Sequence, residues 1–229
     1  MAREKLRVII TGASGMVGEG ALYECLQHPD VEAVLVLTRK HVDMNSPKLK
    51  EIIHQDFYDL SPIEELLKGY NACFFCLGVS SVGMKEADYY KVTYTLTMHV
   101  AGMLGKHNKD MTFCYISGAG TDSTEKGRSM WARVKGKTEN DLHKLPFKKA
   151  YAVRPGFIKP IKGLKNVNPL YKYINWMFPI GRALFPGAFC TLHELGLAMI
   201  NATLYGFAPD IITGKDIIAL AAREKNAKE

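Results

Sequence analysis

The stretch Leu6-Arg-Val-Ile-Ile-Thr-Gly-Ala-Ser-Gly-Met-Val-Gly18 determines the fold that we predict for this chain. Its first part, Arg7 to Thr11, is a short apolar run rich in β-branched residues, which is typical of a buried strand. Three glycines follow, and apolar residues then recur at helical spacing until His28-Pro29. The stretch therefore predicts a strand, a glycine turn and a helix.

Each glycine has a separate physical role in such a turn. Gly12 allows backbone angles that other residues avoid. The missing side chain of Gly15 lets the backbone approach a pyrophosphate, and Gly18 lets the helix pack close to the strand. The free N–H groups at the start of the helix face the phosphates, and the helix dipole adds attraction. We therefore predict that the turn binds a dinucleotide; a tight connection that binds nothing is the alternative.

The length and composition of the chain fit a single folded unit. Its 229 residues, 47% hydrophobic and 23% charged, can bury a core that needs neither a disulfide nor a metal ion. The five cysteines are an odd number in apolar surroundings, which indicates reduced, structural thiols. We see no signal peptide and no apolar run long enough to cross a bilayer, and expect a cytoplasmic protein without stable membrane insertion.

The net charge of +7 allows an acidic partner but does not require one. Lys and Arg are concentrated from Lys106 onward, yet most of them are scattered singly on predicted helices. This pattern favours a solvated face over a nucleic-acid surface. We therefore expect a small-molecule substrate and no nucleic acid.

The second predicted strand, Val31 to Thr38, ends in residues that bear on the choice of nucleotide. NAD sites usually place Asp or Glu at this strand end to hold the ribose 2′-hydroxyl. Here Arg39 offers a planar fork of donors suited to a 2′-phosphate, and Lys40 is a second cation. We predict NADP(H) in preference to NAD(H). The alternative is that both cations are surface loop residues and that Asp43 swings in to the ribose.

Strands and helices continue to alternate as far as residue 156. The sequence predicts strands at 49–54, 72–77, 111–116 and 147–154, and helices at 61–68, 85–107 and 129–145. Ser61-Pro62-Ile63-Glu64 has the pattern of a capping box with proline at the first helical position. About six alternations predict an α/β fold, a Rossmann-type doubly wound parallel sheet with helices on both faces.

The sequence changes in character after Gly156. We divide the chain into a Rossmann core, 1–156, and a substrate-side segment, 157–229, within one domain. Segment 157–189 is rich in Lys, Gly, Pro and aromatic residues, which favours a lid over a pocket and leaves docking on a membrane surface as the alternative. Thr191-Leu-His-Glu194 is another capping box, and a helix to about 205, a strand at 211–213 and a final strand or helix at 216–221 follow it.

The order of these motifs resembles the short-chain dehydrogenase/reductase superfamily. It is most similar to the atypical branch related to NAD-dependent epimerases/dehydratases and to the Tat-interacting-protein type of small oxidoreductase. The matching residues occur in the family's order and cover nearly the whole chain: Thr11-Gly-Ala-Ser-Gly-Met-Val-Gly18, Asp56, Gly78, Ser117, Val134-Lys135-Gly136 and Arg154-Pro155-Gly156. The glycine spacing is G-x-x-G-x-x-G, as in the extended and atypical branches.

The resemblance implies a cofactor that lies across the strand ends. Asp56 is then expected to contact the adenine, Lys135 to hold the nicotinamide ribose hydroxyls and Ser117 to lie near the substrate. The residues expected to bind the cofactor are Thr11, Gly12, Ser14, Gly15, Met16, Val17, Gly18, Thr38, Arg39, Lys40, Asp56, Phe57, Leu77, Gly78, Lys135 and Pro155. The expected catalytic residues are Lys135, Ser117 and Trp131, and no metal is expected.

The chain departs from the family at the position of its catalytic tyrosine. In that family a Tyr four residues before the Lys donates or accepts the proton, whereas here Trp131 precedes Lys135 by four. An indole N–H donates a hydrogen bond but does not titrate in water, and general acid–base help is typically worth ~10² to 10⁴ in rate. The open alternatives are that Ser117 or a water relays the proton, that the protein has no turnover, or that another phenol reaches the site: Tyr115, Tyr89 or Tyr90.

Two hypotheses for function follow. The first is an NADP(H)-dependent oxidoreductase or epimerase-like enzyme that acts on a small carbonyl or hydroxyl compound. The second is a non-catalytic NADPH-binding regulator that presents a changed surface to a protein partner. The helices at 85–107 and 129–145 could also pair across a two-fold axis, so a homodimer is among the expectations.

Overall fold

A computed structural model of the chain describes residues 4–166 and 177–224. The strands within these ranges are β1 Leu6–Thr11, β2 Val31–Thr38, β3 Leu49–Ile53, β4 Ala72–Phe75, β5 Thr112–Ile116, β6 Lys149–Arg154, β7 Phe157–Lys159, β8 Phe189–Thr191 and β9 Ile211–Thr213. Seven of them form one sheet in the order β3-β2-β1-β4-β5-β6-β9, with every neighbouring pair parallel. The predicted doubly wound parallel sheet is therefore confirmed.

Helices cover both faces of this sheet. The α-helices are α1 Met16–Gln27, α2 Glu86–Tyr90, α3 Leu96–His107, α4 Met130–Leu142, α5 Phe178–Leu184, α6 Leu192–Tyr205 and α7 Gly214–Ala221. Short 3-10 helices lie at Ser61–Leu67, Pro186–Ala188 and Ala222–Glu224. The final element, left open as strand or helix by the sequence, is the helix α7.

The alternating residues of the central strands divide between two apolar cores. On one face Val8 and Ile10 of β1 pack with side chains of α1, α6 and α7. On the other face Ile9 packs with α3 and with Leu142 of α4. Since each strand is buried on both sides, its sequence is apolar throughout rather than alternating. This double burial fixes the register of the sheet and therefore the positions of the loops at its carboxyl edge.

The capping box predicted for Ser61 and Glu64 does not form. Ser61 does not cap its helix: the helix is a 3-10 segment with Leu60 at its N-cap, and the Ser61 hydroxyl donates to Asp59 Oδ1 at 2.6 Å. Glu64 is drawn instead to His107 and to Lys106, whose ammonium lies 3.2 Å away. Cation pairing across elements is thus preferred to a local capping box.

The helix predicted over 85–107 is interrupted. Lys91–Thr95, between α2 and α3, is a π-helical turn. The interruption coincides with a cluster of β-branched residues, and such residues crowd the preceding turn of an α-helix. At this point the Thr97 hydroxyl donates to the Thr93 carbonyl at 2.5 Å.

The second segment of the chain is joined to the first. β9 extends the main sheet by pairing with β6, and β7 and β8 form a separate parallel pair beside it. The capping box at the start of α6 is confirmed: Thr191 Oγ1 accepts from the Glu194 amide at 3.1 Å, and Glu194 Oε2 accepts from the Thr191 amide at 2.7 Å. Part of the aromatic segment predicted as a lid, residues 167–176, lies outside the described residues.

Candidate dinucleotide-binding site

The glycine turn between β1 and α1 has the tight packing that its sequence predicts. Gly12 has φ +72°, and a β-carbon there would lie 2.6 Å from the amide nitrogen of Leu77, so the turn touches the end of β4. A β-carbon on Gly18 would lie 2.2 Å from the Gly12 carbonyl oxygen, so only glycine lets α1 approach the turn this closely. Gly15 is exposed, and the nearest atom to a β-carbon there would be 3.5 Å away. The turn is therefore packed on its inner side and open at Gly15.

The N-terminus of α1 can receive an anion. Its N-cap is Gly15, and no side chain caps the first turn. By helix geometry the amides of Met16, Val17 and Gly18 have no partner within the helix. The dipole of this 12-residue helix adds partial positive charge at the same point. Backbone N–H groups and helix dipole together favour a phosphate here.

A cavity of about 270 Å³ lies beside the turn, over the carboxyl ends of β1, β2 and β4. Its lining residues are Gly12, Ser14, Gly15, Leu37, Thr38, Arg39, Phe57, Cys76, Leu77, Gly78 and Val79. The strand order reverses between β1 and β4, and ligands of open α/β sheets bind at the carboxyl ends of strands at such a point. Larger cavities of about 490 and 460 Å³ lie at the amino ends of the strands and between α1, α6 and α7. Topology therefore selects the smaller cavity.

The end of β2 carries a free cation. Arg39 is exposed and lines the cavity, and within residues 4–166 and 177–224 no ion pair to its guanidinium is present. The Thr38 hydroxyl donates to the Lys40 carbonyl at 2.8 Å, which holds the turn that presents Arg39. Asp43, the acid that could compete for a ribose, is ion-paired with Lys165. The strand end is thus cationic.

Some of the predicted cofactor residues line the cavity, and others lie beside it. Eight of them line the cavity: Gly12, Ser14, Gly15, Thr38, Arg39, Phe57, Leu77 and Gly78. Met16 and Val17 pack partly against the core and offer only backbone. Lys40 and Asp56 are exposed beside the cavity without lining it, and Asp56 Oδ1 accepts from the Tyr58 amide at 2.8 Å.

Thr11, which the resemblance predicts as a cofactor contact, lies at the buried end of β1. Its side chain is wholly buried, because β2 and β4 flank this end of β1. Its carbonyl accepts from the Cys76 amide at 3.3 Å, and its hydroxyl has no hydrogen-bond partner among the described residues. The Thr11 side chain therefore packs beneath the turn and does not line the cavity.

Lys135 reaches from α4 to the end of β5. Its ammonium donates to the carbonyls of Ser117 at 2.5 Å and Ile116 at 3.3 Å. Burial lowers the pKa of this amine to about 8, and the nearby Glu139 carboxylate limits the shift. The structure therefore places the Lys135 ammonium against the backbone carbonyl of Ser117.

The Ser117 side chain is turned into the sheet. Its hydroxyl is buried and donates to the Val153 carbonyl of β6 at 3.2 Å. The next residue, Gly118, has φ +128° and carries no side chain. Pro155 is also buried, and its carbonyl accepts from the Ala119 amide at 2.8 Å. In this conformation these contacts bind the loop after β5 to β6.

Trp131 faces the same loop. A β-carbon on Gly120 would lie 3.5 Å from the Trp131 ring. Two of the phenols considered as replacements, Tyr115 and Tyr89, are almost fully buried, and burial raises the pKa of both hydroxyls. Tyr90 is half-buried, with its ring 4.6 Å from that of Tyr94. The structure offers no support for a replacement phenol among these three.

A buried ion pair next to Lys135 was not predicted from the sequence. Glu139, one turn further along α4, is only 1% exposed and pairs with both Nε and Nη2 of Arg154 at the end of β6. Arg154 Nη2 also donates to Ser123 Oγ at 2.5 Å. The pair joins α4, β6 and the loop after β5, and so fixes the helix that carries Lys135. The sequence shows that Glu139 follows Lys135 by four residues, one helical turn. It does not show the ion pair, because the partner Arg154 lies 15 residues further along the chain.

Gly136 has a packing role that the sequence motif did not specify. A β-carbon on it would lie 1.8 Å from the Asp122 carbonyl oxygen. The Asp122 amide donates to the Ala132 carbonyl at 3.1 Å, and its carboxylate accepts from the Gly127 amide at 2.6 Å. The loop after β5 is therefore pressed onto α4, which explains a glycine directly after Lys135.

Comparison with known proteins agrees with this arrangement. The model of the NAD-dependent epimerase/dehydratase family matches residues 8–142, more than half of the chain. Among curated relatives, Protein FMP52, mitochondrial, of Meyerozyma guilliermondii is 23% identical over 155 residues, covering 67% of this chain and 65% of its own length. The chain thus spans less than two thirds of the length of that relative. Protein fmp52-1, mitochondrial, of Aspergillus oryzae is 26% identical and is covered over 98% of its length by 95% of this chain.

Solved structures share the fold at low sequence identity. A UDP-N-acetylglucosamine 4-epimerase from Methanobrevibacter ruminantium superposes with TM-score 0.66 and 15% identity, over 97% of this chain and 83% of that one. ADP-L-glycero-D-manno-heptose-6-epimerase from Helicobacter pylori gives TM-score 0.64 and 16% identity, over 96% and 82%. WbmF of Bordetella bronchiseptica, solved with NAD+ and UDP, gives 0.65 and 15%, over 98% and 78%.

The residues present fit a dinucleotide. The start of α1 has no side-chain cap, Gly15 is open toward solvent, and Arg39 lines the cavity without an ion pair to any residue that the structure describes. These features occupy the first strands and helices of the region that the family model matches. The chain belongs to the NAD-dependent epimerase/dehydratase family.

Proposed function

We propose that this protein binds NADP(H) in preference to NAD(H) and is an oxidoreductase or epimerase-like enzyme acting on a small carbonyl or hydroxyl compound. Membership of the family gives the coarser part of this statement, an NAD(P)-binding epimerase-like protein. The preference for NADP(H) rests on one observation. The cavity wall at the end of β2 holds Arg39, whose guanidinium forms no ion pair among the described residues, while Asp43 is engaged by Lys165.

The cofactor supplies a hydride to the substrate carbon, or removes one from it, when it is bound. The amides at the start of α1 hold its phosphates, and Arg39 with Lys40 pairs with the 2′-phosphate. Phe57, Leu77 and Gly78 give the apolar walls of the adenosine side. Lys135 holds the nicotinamide ribose, since the two carbonyls that accept its protons fix its amine at the end of β5.

The proton that accompanies the hydride needs a route that avoids Trp131. Ser117 donates its own proton to the Val153 carbonyl and can only accept a further hydrogen bond in this conformation. Tyr115 and Tyr89 are buried. We propose that a water beside Lys135 relays the proton, with the ammonium orienting it, and that turnover is slow as a result.

The preference for NADPH is tested by calorimetric titration with NADPH and NADH at one fixed salt concentration. We expect NADPH to bind more tightly, and Arg39→Gln to weaken NADPH by at least about tenfold while leaving NADH unchanged, since only the 2′-phosphate contact is lost. Lys50→Gln, an exposed lysine on β3, is the matched control. Equal affinities for the two nucleotides would contradict the proposed role of Arg39.

A second candidate function is favoured by Trp131 itself. A non-catalytic NADPH-binding regulator would need the binding turn and Arg39 but no titratable group at this position. Trp131→Tyr separates the two: an enzyme short of its phenol should gain at least about tenfold in carbonyl reduction, whereas a regulator should gain none. Trp131→Phe, with the same ring size as Tyr and no hydroxyl, is the control. A panel of small aldehydes and ketones followed by NADPH absorbance provides the measurement.

The remaining predictions about partners and location stay proposals. A homodimer through α3 and α4 is tested by sedimentation at micromolar concentration. The curated relatives are named mitochondrial, which does not fit the cytoplasmic location expected from the sequence. We propose an association with mitochondria as the alternative, to be decided by imaging a fluorescent fusion.

A further inference from the structure

Helix α5 presents an apolar face to solvent. Met177, Ile180, Leu184 and Phe185 recur at helical spacing and are 46%, 56%, 68% and 64% exposed. We call these four residues the apolar face of α5. A solvent-facing helix surface is ordinarily polar, and clustered exposed apolar side chains mark interaction sites more often than single ones do.

The opposite side of α5 is firmly attached to the protein. Phe178 is buried, with its ring 6.0 Å from that of Phe189. Arg182 donates to the Phe189 carbonyl at 2.5 Å and to the Glu194 carboxylate at 3.0 and 2.6 Å. The apolar face therefore cannot turn inward without breaking these contacts, and its exposure is a property of the fold.

Two lysines lie beside α5. Between residues 142 and 193 the chain contains no Asp or Glu, and five of the nine cations there are paired with acids from outside this segment: Lys144, Lys149, Arg154, Lys165 and Arg182. The Lys159 ammonium lies 5.1 Å from the centre of the Phe178 ring. The Lys215 side chain packs on Gly187, just after α5: a β-carbon placed on that glycine would lie 2.7 Å from Lys215 Cγ. Glu194, an acid that contacts α5, is paired with Arg182. Within the part of the chain that the structure describes, neither Lys159 nor Lys215 forms an ion pair, and they lie on either side of α5 in sequence.

We propose that the apolar face of α5, together with Lys159 and Lys215, docks the protein peripherally on a membrane surface of anionic phospholipid. Apolar side chains enter the boundary between headgroups and acyl chains, and flanking lysines contact the headgroup phosphates. A nucleic acid would use the lysines but leave the apolar side chains in water. No helix in the described ranges is long and apolar enough to span a membrane, so the docking is at the surface.

The test is co-sedimentation of the full-length protein with vesicles of phosphatidylcholine alone and of phosphatidylcholine with about 30 mol% phosphatidylserine. We expect binding to the anionic vesicles that weakens between about 50 and about 300 mM salt. Leu184→Gln/Phe185→Gln should reduce the partition coefficient at least about tenfold, and Lys159→Gln/Lys215→Gln should do the same. Ile53→Gln/Leu66→Gln, two exposed apolar residues on another part of the surface, should bind like the wild type.

Two results would overturn the proposal. The first is that no vesicle retains the wild-type protein; if that protein also sediments as a dimer that Leu184→Gln/Phe185→Gln converts to a monomer, a second copy of the chain covers the face. The second is that Leu184→Gln/Phe185→Gln, shown to be folded by its thermal unfolding, binds vesicles as well as the wild type. Neither of these results depends on nucleotide binding.

Discussion

Among single residues, Lys135 is the one whose chemistry the fold changes most. Its amine is held by two backbone carbonyls at the end of β5, and burial brings its pKa from the ordinary 10.5 to about 8. At neutral pH the ammonium is still the main form, so it can donate to a ribose hydroxyl or to a water. The same shift has a consequence for stability.

We expect the stability of the wild type relative to Lys135→Met to rise between about pH 8 and about pH 10.5. In this window the unfolded chain binds the proton of Lys135 more strongly than the folded chain does, so raising the pH favours the folded state. Below the window both states are protonated, and burial of the cation is most costly. The change should be on the order of 1–2 kcal/mol, measured by urea unfolding at several pH values. Lys109→Met, at an exposed site, is the control, and parallel profiles for the two variants would contradict the prediction.

At the scale of elements, the decisive contact is that between the glycine turn and α1. Gly18 is packed against the Gly12 carbonyl, whereas a β-carbon on Gly102 of α3 would have no atom within 4 Å. Both glycines lie inside helices. Substitution by alanine can therefore be compared between a tightly packed position, Gly18, and an open one, Gly102.

Gly18→Ala should destabilise the protein by about 1–3 kcal/mol, because α1 has to move away from β1. It should also weaken NADPH binding at least about tenfold, since the amides at the start of α1 move with the helix. Gly102→Ala should stabilise the protein by about 0.5–1 kcal/mol through helix propensity, with unchanged binding. Urea unfolding and calorimetry on the two variants provide the comparison. Unchanged NADPH affinity in a folded Gly18→Ala protein would show that the turn does not hold the phosphates.

At the scale of the whole molecule, one carboxylate connects α1 to the segment that follows β7. Glu19, in the first turn of α1, is buried and accepts from the amides of Lys165 at 2.9 Å and Asn166 at 2.7 Å. These contacts hold the segment before residue 167 against α1. The second segment of the chain is thus held by the first.

Glu19→Gln should lower the free energy of unfolding by about 2 kcal/mol, because the amide NH₂ cannot accept the second hydrogen bond and two amides lose a charged acceptor. It should also speed tryptic cleavage at Lys162 and Lys165, because the segment that contains them opens more often when the Glu19 hydrogen bonds are weakened. Glu32→Gln, at an exposed ion pair with Arg7, should change stability by less than about 1 kcal/mol. Cleavage rates and urea midpoints equal to those of the wild type would show that the Glu19 contacts do not hold the segment.

Much of the fold could be predicted because its signals are local. β2 begins and ends where its apolar run does, α1 stops at His28-Pro29, and the Thr191–Glu194 capping box forms as its sequence specifies. The failures are also physical. Ser61 and Glu64 have the right spacing for a capping box, but Ser61 bonds to Asp59, and Glu64 bonds to Lys106 and His107, which are distant in sequence.

The sequence by itself determined the order of strands and helices, the glycine turn and the cation at the end of β2, because each depends on residues that are neighbours in the chain. Only the tertiary structure decided that Thr11 is buried, that Ser117 turns its hydroxyl into the sheet and that Glu139 pairs with Arg154. It also decided that α5 leaves an apolar face uncovered. These outcomes depend on which surfaces meet when strands far apart in sequence become adjacent, and no local pattern encodes that meeting.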